Sequence, residues 1–370
     1  MDLRSGIVIG RIRGIAIRVH WSWLFVFVLV AWRLQGDVAG LVPELSSALR
    51  WLAGFAAAAI FFLSVLLHEL SHAFVALHHG MTVPSITLFI FGGASNVEGE
   101  MKTPGQEFQI AFAGPATSIV IGAILVGASY VVPPVVGSVL FYLGVTNSVL
   151  GVFNLLPGFP LDGGRVLRAL LWKASGNMEK STRVAAGAGT TLAWGLIAVG
   201  VYYSFATRSL AGGWFVLIGL FLRSSSESAY GQMMVERALE GVRVRAVMRE
   251  APEPVAPTMS LQRIVDERVL GRGERALFVG GEGQVLGLFT VVDLARISTE
   301  QLATTLARDI MVPVDQIITV GPDTPLLEAT QSMTEHDFHQ IPVVEDGRMV
   351  GVLTRGDVLQ QLEVRQRFGR

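Results

Sequence analysis

An apolar stretch between residues 61 and 77 reads FFLSVLLHELSHAFVAL. Within it, His68 and His72 are four positions apart, so on a helix both imidazoles lie on one face and can bind one metal ion. Glu69 lies beside them, where its carboxylate can accept a proton from metal-bound water. Ionisable side chains are costly at bilayer depth and are usually functional there. The pattern therefore predicts a metal centre inside a membrane helix; the alternatives are a structural polar cluster or a proton relay.

A catalytic zinc ion needs a third protein ligand and keeps one position for water, so another His, Asp or Glu must contribute. Several candidates lie at predicted helix ends or in a polar loop, namely His20, His78, His79, Glu98, Glu100 and Glu107. Asp162 differs because it follows an apolar span within NLLPGFPLDGGR (154–165), where Pro and Gly break the helix and present backbone to a cavity. We expect Asp162 to be the third ligand, although an Asp-Gly turn explains the local sequence about equally well.

The composition indicates a membrane protein. Of the 370 residues, 51% are hydrophobic and only 16% are charged, which is too apolar for an ordinary soluble enzyme. The net charge is −1 and the sequence has no dense run of basic residues, so no nucleic-acid partner is expected. The chain has no cysteine, which excludes disulfides, thiolate ligands and a cysteine nucleophile.

Apolar blocks predict about six transmembrane helices in a lipid bilayer. They cover residues 20–32, 51–79, 109–132, 137–157, 187–205 and 210–222. An even count places both termini on one side, and the basic residues of the connecting loops select the cytoplasmic side of the plasma membrane. A small β element is expected as well, from the alternating residues before position 20 and from the β-branched run at 85–97.

The apolar blocks end near residue 225, and the rest of the chain is typical of a soluble α/β domain. A repeat is visible there in GQVLGLFTVVDL (283–294) and GRMVGVLTRGDV (347–358), which align at an offset of 64 residues. We predict four segments: a transmembrane domain at 1–225, a linker at 226–241, and repeats at 242–304 and 305–370.

The N-terminal 225 residues resemble the site-2 proteases, intramembrane zinc metalloproteases with HExxH on one helix and LDG on a later one. The matching residues are 68–72, Phe91-Gly92-Gly93, Ala113-Gly114-Pro115 and 154–165. The resemblance implies one Zn2+ per chain, held by His68, His72 and Asp162. It also implies that Glu69 is the catalytic base of a zinc metalloendopeptidase.

Two amides are candidates to bind the substrate. The resemblance implies that Asn154 hydrogen-bonds the substrate backbone or the oxyanion, and Asn147 is a second candidate. Either amide could instead form an ordinary hydrogen bond between helices. The implied substrate is a single-pass membrane protein, cut in regulated intramembrane proteolysis. Its peptide bonds are hidden in a helix, so it must be unwound, and we expect a strand within 85–97 to hold it.

The repeats resemble a cystathionine-β-synthase (CBS) domain pair, which commonly binds adenine nucleotides between its copies. The resemblance implies that ATP, ADP or AMP is contacted through phosphate and ribose hydroxyls by Thr290, Asp293, Thr354 and Asp357. Leu277-Phe278-Val279 of the first copy departs from the family pattern, which Ile341-Pro342-Val343 of the second copy fits. A pair that only forms a homodimer and binds no ligand is the alternative.

The expected fold is thus a polytopic α-helical membrane domain with a small β element, followed by a soluble α/β CBS pair. A transporter or channel regulated by the CBS pair is the alternative function. A transporter would not need a Glu between two His residues or the later LDGG turn, and we see no inverted repeat of broken helices.

Overall fold

The computed structural model describes residues 6–41, 46–90, 92–99, 101–281 and 284–368. Contacts divide the chain into two units, Met1–Gly231 and Gln232–Arg370. In chain order, the elements that begin in the first unit are β1 (Ile7–Ile12), β2 (Ile15–Val19), α1 (Trp21–Leu41), α2 (Ser47–His78), β3 (Thr82–Phe89), β4 (Gly92–Glu98), α3 (Pro104–Ser129), α4 (Pro134–Asn154), α5 (Asp162–Ser175), α6 (Met178–Thr207) and α7 (Gly213–Leu239).

Four helices in the described part of the chain are long and apolar enough to cross a membrane, namely α2, α3, α4 and α6. The apolar part of α1, Trp21–Gly36, is shorter than these four. The helix α7 is apolar only as far as Leu222 and then continues through the polar sequence RSSSESAYGQ. The expected count of six spans is therefore not confirmed, because its first and last apolar blocks fall short of a full span.

A four-stranded sheet covers one side of α2. Its order is β1-β2-β3-β4, with β2 and β3 parallel and the other neighbours antiparallel. Ile15, Ile17 and Ile86 point inward and form one buried cluster with Leu70 and Ala73 of α2. This cluster fixes the rotation of α2 against the sheet. The strand β4 is the last in the order, so its outer edge has no strand partner among the residues described.

Glycine residues bring α3 and α4 into backbone contact. A Cβ atom on Gly144 would lie 2.8 Å from the carbonyl oxygen of Gly122, and one on Gly151 would lie 2.9 Å from that of Pro115. A larger residue at either position would push the helices apart. Lipid gives apolar helices no hydrophobic drive to associate, so close packing of small residues supplies the attraction instead.

The second unit contains the two repeats, each with its own core. Its strands are β5 (Arg249–Glu250), β6 (Ala276–Gly281), β7 (Gln284–Thr290), β8 (Val312–Pro313), β9 (Gln340–Glu345) and β10 (Arg348–Thr354). Its α-helices are α8 (Leu261–Ile264), α9 (Val291–Leu294), α10 (Ala307–Ile310), α11 (Leu326–Glu335) and α12 (Arg355–Phe368). The sheets have the orders β6-β7-β8 and β5-β10-β9. The first copy buries Leu277 and Phe289, and the second buries Ile341 and Leu353.

Candidate metal centre

Three ligand atoms meet at one point in the first unit. His68 and His72 lie one turn apart on α2, and their Nε2 atoms are 3.2 Å from each other. The Oδ2 atom of Asp162 is 3.2 Å from each of these nitrogens. A tetrahedral ion with bonds of 2.0–2.1 Å keeps its ligand atoms about 3.3 Å apart. The three residues therefore have the spacing of a zinc site that leaves a fourth position open.

The electrostatics of the cluster keep its carboxylate ionised. Burial would raise the pKa of Asp162, but hydrogen bonds and the charges of His68 and His72 outweigh it and hold that pKa below its usual value. An ionised carboxylate is the form that binds a metal ion.

The helix α3 orients both imidazoles through their other ring nitrogen. Nδ1 of His72 lies 2.6 Å from the carbonyl oxygen of Ile110, which can only accept, so this nitrogen carries the proton. Nδ1 of His68 lies 2.9 Å from the hydroxyl of the fully buried Ser118. With a proton on Nδ1, the ring becomes neutral when Nε2 loses its proton, and the Nε2 lone pair is then free for a metal. Neither partner could be recognised from the local sequence, since a serine and a backbone carbonyl are ordinary features of a helix.

Gly114 of α3 leaves the space that the two imidazoles occupy. A Cβ atom at this position would lie 2.6 Å from Nε2 of His68 and closer still to Nε2 of His72. The backbone of α3 therefore lies against the ligand atoms themselves. The motif that includes this glycine was visible in the sequence, but its contact with the imidazoles was not.

Asp162 reaches the imidazoles because the chain turns back after α4. That helix ends at Asn154, and α5 begins at Asp162. Gly163 lies so close to the end of α4 that an added Cβ atom would overlap the carbonyl group of Leu155. The prolines and glycines between the two helices thus form a tight return that places the first residue of α5 beside α2.

A buried ion pair joins α5 to α3. Arg168 donates from Nε to Oε1 of Glu107 over 2.6 Å, and a second guanidinium nitrogen also contacts that oxygen. Glu107 is fully buried, and the guanidinium of Arg168 also lies over the ring of Phe159. Burial of an ion pair is tolerated when its geometry is good. The pair ties the helix that begins with Asp162 to the helix that orients the imidazoles.

The expectation for Glu107 was wrong. Glu107 lies in the first turn of α3, not in a polar loop, because Thr103 caps that helix and starts it earlier. His20, just before α1, is only 3% exposed, and its Nδ1 lies 2.7 Å from the hydroxyl of Ser22.

The two asparagines proposed to bind substrate lie on α4. Asn147 is fully buried, and its Nδ2 donates to the carbonyl oxygen of Leu143 in the same helix over 2.8 Å. Its Oδ1 atom has no hydrogen-bond partner among the described residues. Asn154 is the last residue of α4 and is partly exposed. Both roles remain predictions.

In the second unit, the residues predicted to contact nucleotide form two matching caps. The hydroxyl of Thr290 donates to Oδ2 of Asp293 over 2.7 Å at the start of α9. The hydroxyl of Thr354 donates to Oδ2 of Asp357 over 2.6 Å at the start of α12. In the second copy, Arg249 also donates to Oδ1 of Asp357 over 2.6 Å. These contacts stabilise helix starts, and the nucleotide contacts remain predictions.

Comparison with known proteins identifies both units. The model of peptidase family M50 matches residues 56–136 and 134–198, and the CBS domain model matches 244–300 and 307–364. The chain is 35% identical to Rip3 of Mycobacterium tuberculosis, assigned as a zinc metalloprotease, over 369 residues that cover 98% of this chain and 94% of that protein.

The chain is also similar to two archaeal proteins. The zinc metalloprotease MJ0392 of Methanocaldococcus jannaschii is 28% identical over 362 residues, covering 96% of this chain and 95% of that protein. The solved site-2 protease from the same organism is 30% identical and covers 61% of this chain and 95% of its own, with a TM-score of 0.42. The 35% identity to Rip3 over nearly its whole length, together with the M50 and CBS matches, shows that the chain belongs to the site-2 protease family of membrane zinc metalloproteases and combines the protease with a pair of CBS domains.

Proposed function

We propose that the chain is a zinc metalloendopeptidase of the HExxH type, with one zinc ion held by His68, His72 and Asp162. The proposal rests on the equal 3.2 Å separations of the three ligand atoms. Held by these three residues, zinc would supply Lewis-acid chemistry, which would polarise the scissile carbonyl and make water more acidic.

Glu69 is the general base in this proposal. It follows His68 on α2, and in this role its carboxylate accepts a proton from the attacking water. It then returns that proton to the leaving amine, and the peptide bond is hydrolysed without a covalent enzyme intermediate. Asn154, at the end of α4, is the candidate to hydrogen-bond the substrate backbone or the oxyanion.

The substrate in this proposal is a single-pass membrane protein that binds as an extended strand. A helix hides its peptide bonds in its own hydrogen-bond ladder, so the scissile segment must first unwind. The outer edge of β4 supports strand addition, because it is unpaired among the described residues and Gly93 of the same strand lies against Glu69.

Cysteine cross-linking tests this binding site directly, because the chain has no cysteine of its own. A single cysteine at Asn96→Cys, an exposed position of β4, should form a disulfide with a cysteine near the scissile bond of a model transmembrane peptide. Tyr130→Cys, at the C-terminal end of α3, is the exposed control and should not react. Equal cross-linking at both positions would reject strand addition at β4.

The proposed topology has six spans, with the apolar parts of α1 and α7 added to the four long helices. Both termini and the CBS pair then lie in the cytoplasm, in agreement with the basic residues of the connecting loops. Protease protection of a C-terminal tag in inverted and right-side-out vesicles tests this topology. A tag that is digested in right-side-out vesicles and protected in inverted vesicles would overturn it.

The metal and the base are tested with purified chain in detergent. Glu69→Gln should keep one zinc per chain and lower cleavage of a fluorophore-labelled model transmembrane peptide at least about 100-fold. His72→Ala should lose zinc, while His78→Ala, at the exposed end of the same helix, should keep it. Zinc-free wild-type protein, or full cleavage by Glu69→Gln, would contradict the proposal.

Modulation by an adenine nucleotide is the second part of the proposal. It is supported by the matching Thr–Asp pairs of the two copies and by Arg249, which lies at the second pair and offers a positive charge to phosphate. Titration of the full chain with ATP, ADP and AMP tests it by calorimetry. No heat with any of the three would leave the CBS pair as a homodimerisation module.

A further inference from the structure

The strand β4 lies directly on the side chain of Glu69. Gly93 and Ser95 are two positions apart, so they share one face of the strand. A Cβ atom on Gly93 would lie 2.7 Å from Cδ of Glu69 and 2.9 Å from its Oε1, so the strand backbone touches the carboxylate. On the same face, the hydroxyl of Ser95 donates to Oε2 of Glu69 over 2.8 Å.

This hydrogen bond leaves one carboxylate oxygen available. Ser95 engages Oε2, and no other hydrogen bond to the Glu69 carboxylate is present in the described parts of the chain. A glutamate side chain has three rotatable bonds and loses considerable freedom when it is fixed. The contact with Gly93 and the bond to Ser95 together restrict the carboxylate to one orientation, in which Oε1 can accept a proton.

We propose that Ser95 is a positioning residue for the general base, so that the strand that would receive the substrate also orients Glu69. The inference rests on the proposed role of Glu69 and adds to it a residue outside the HExxH segment. A hydrogen bond to a charged group is stronger than one between neutral groups, so its loss should affect catalysis measurably.

The structure gives a reason for this arrangement. Ser95 pairs with Ile86 of β3, and the buried cluster beneath β3 holds the sheet on α2. The serine hydroxyl is therefore fixed relative to the helix that contains Glu69. A substrate strand added to the outer edge of β4 would be aligned by the same backbone that aligns the base. The strand β4 would therefore position the scissile bond and the Glu69 carboxylate relative to each other.

Steady-state cleavage of the labelled model peptide tests the inference. Ser95→Ala should lower kcat about 10-fold or more and leave KM within about two-fold, because the base is misoriented while substrate binding is unchanged. Ser95→Thr keeps the hydroxyl and should retain most of the wild-type kcat. Ser129→Ala is the matched control and should behave as wild type, because the hydroxyl of Ser129 donates only to the carbonyl oxygen of Val126 within α3, over 2.6 Å. Zinc content and melting temperature should stay unchanged in all three variants.

Two results would overturn the inference. An unchanged kcat in Ser95→Ala would mean that the hydrogen bond does not orient the base. A raised KM with normal kcat would mean that Ser95 contacts the substrate instead. Glu69→Gln in the same assay distinguishes a failure of the proposed role of Glu69 from a failure of the proposed role of Ser95. If that variant is active, the proposed role of Glu69 fails; if it is inactive while Ser95→Ala has the wild-type kcat, only the present inference fails.

Discussion

We expect the substitution Gly114→Ala to remove zinc from the metal centre. Gly114 lies in α3 against the imidazoles of His68 and His72. An added methyl carbon would be 2.6 Å from Nε2 of His68 and closer still to Nε2 of His72, whereas ordinary van der Waals contact begins at 3.4 Å. The rings or α3 must therefore move by about 0.8 Å or more to make room.

This displacement is large on the scale of metal coordination, where ligand distances stay within ~0.2 Å of their preferred values. Changing a group that merely orients a ligand lowers metal affinity about 10- to 100-fold. Direct displacement of two ligand atoms should therefore lower zinc affinity by at least about 100-fold. The assay is competition for zinc with a chelator of known affinity, using the purified full chain in detergent.

Gly127→Ala is the matched control, because it adds a methyl group to the same helix where nothing lies within 4 Å. It should bind zinc as wild type does. The melting temperature of each metal-free variant separates loss of the site from loss of the fold. Wild-type zinc affinity in Gly114→Ala would contradict this prediction, because it would mean that the ligand atoms do not lie against α3 as described.

Three further predictions follow from other contacts. Ser118→Ala removes the partner of Nδ1 of His68 and should weaken zinc binding about 10-fold in the same competition assay. Arg168→Met leaves Glu107 charged and buried, so it should destabilise the chain by about 3–5 kcal/mol in detergent unfolding, and adding Glu107→Leu should restore much of that loss. Thr354→Val removes a helix cap at a cost of about 1 kcal/mol, so the amides at the start of α12 should exchange hydrogen about five-fold faster.

The pairing of His68 with His72 could be predicted because it depends only on helix periodicity. Residues four apart share a face on any α-helix, so the spacing determines that both imidazoles can meet one ion. The CBS repeats could also be predicted from the sequence. Aligning the chain with itself reveals a duplication without any knowledge of three-dimensional contacts. The number of spans was harder to predict, because hydropathy locates apolar blocks but not the ends of the helices that contain them.

The class of the protein followed from local patterns: the HExxH spacing in an apolar helix, the LDG segment at Asp162, and the duplicated C-terminal domain. The atoms that surround His68 and Glu69 depend on tertiary packing. Asp162 lies 94 positions from His68, and Ser118 lies 50 positions from it. Ser95 is likewise an unremarkable strand residue until β4 packs on α2. Local sequence reports the conformation of neighbouring residues, whereas these contacts depend on how whole helices and strands pack, which no single segment encodes.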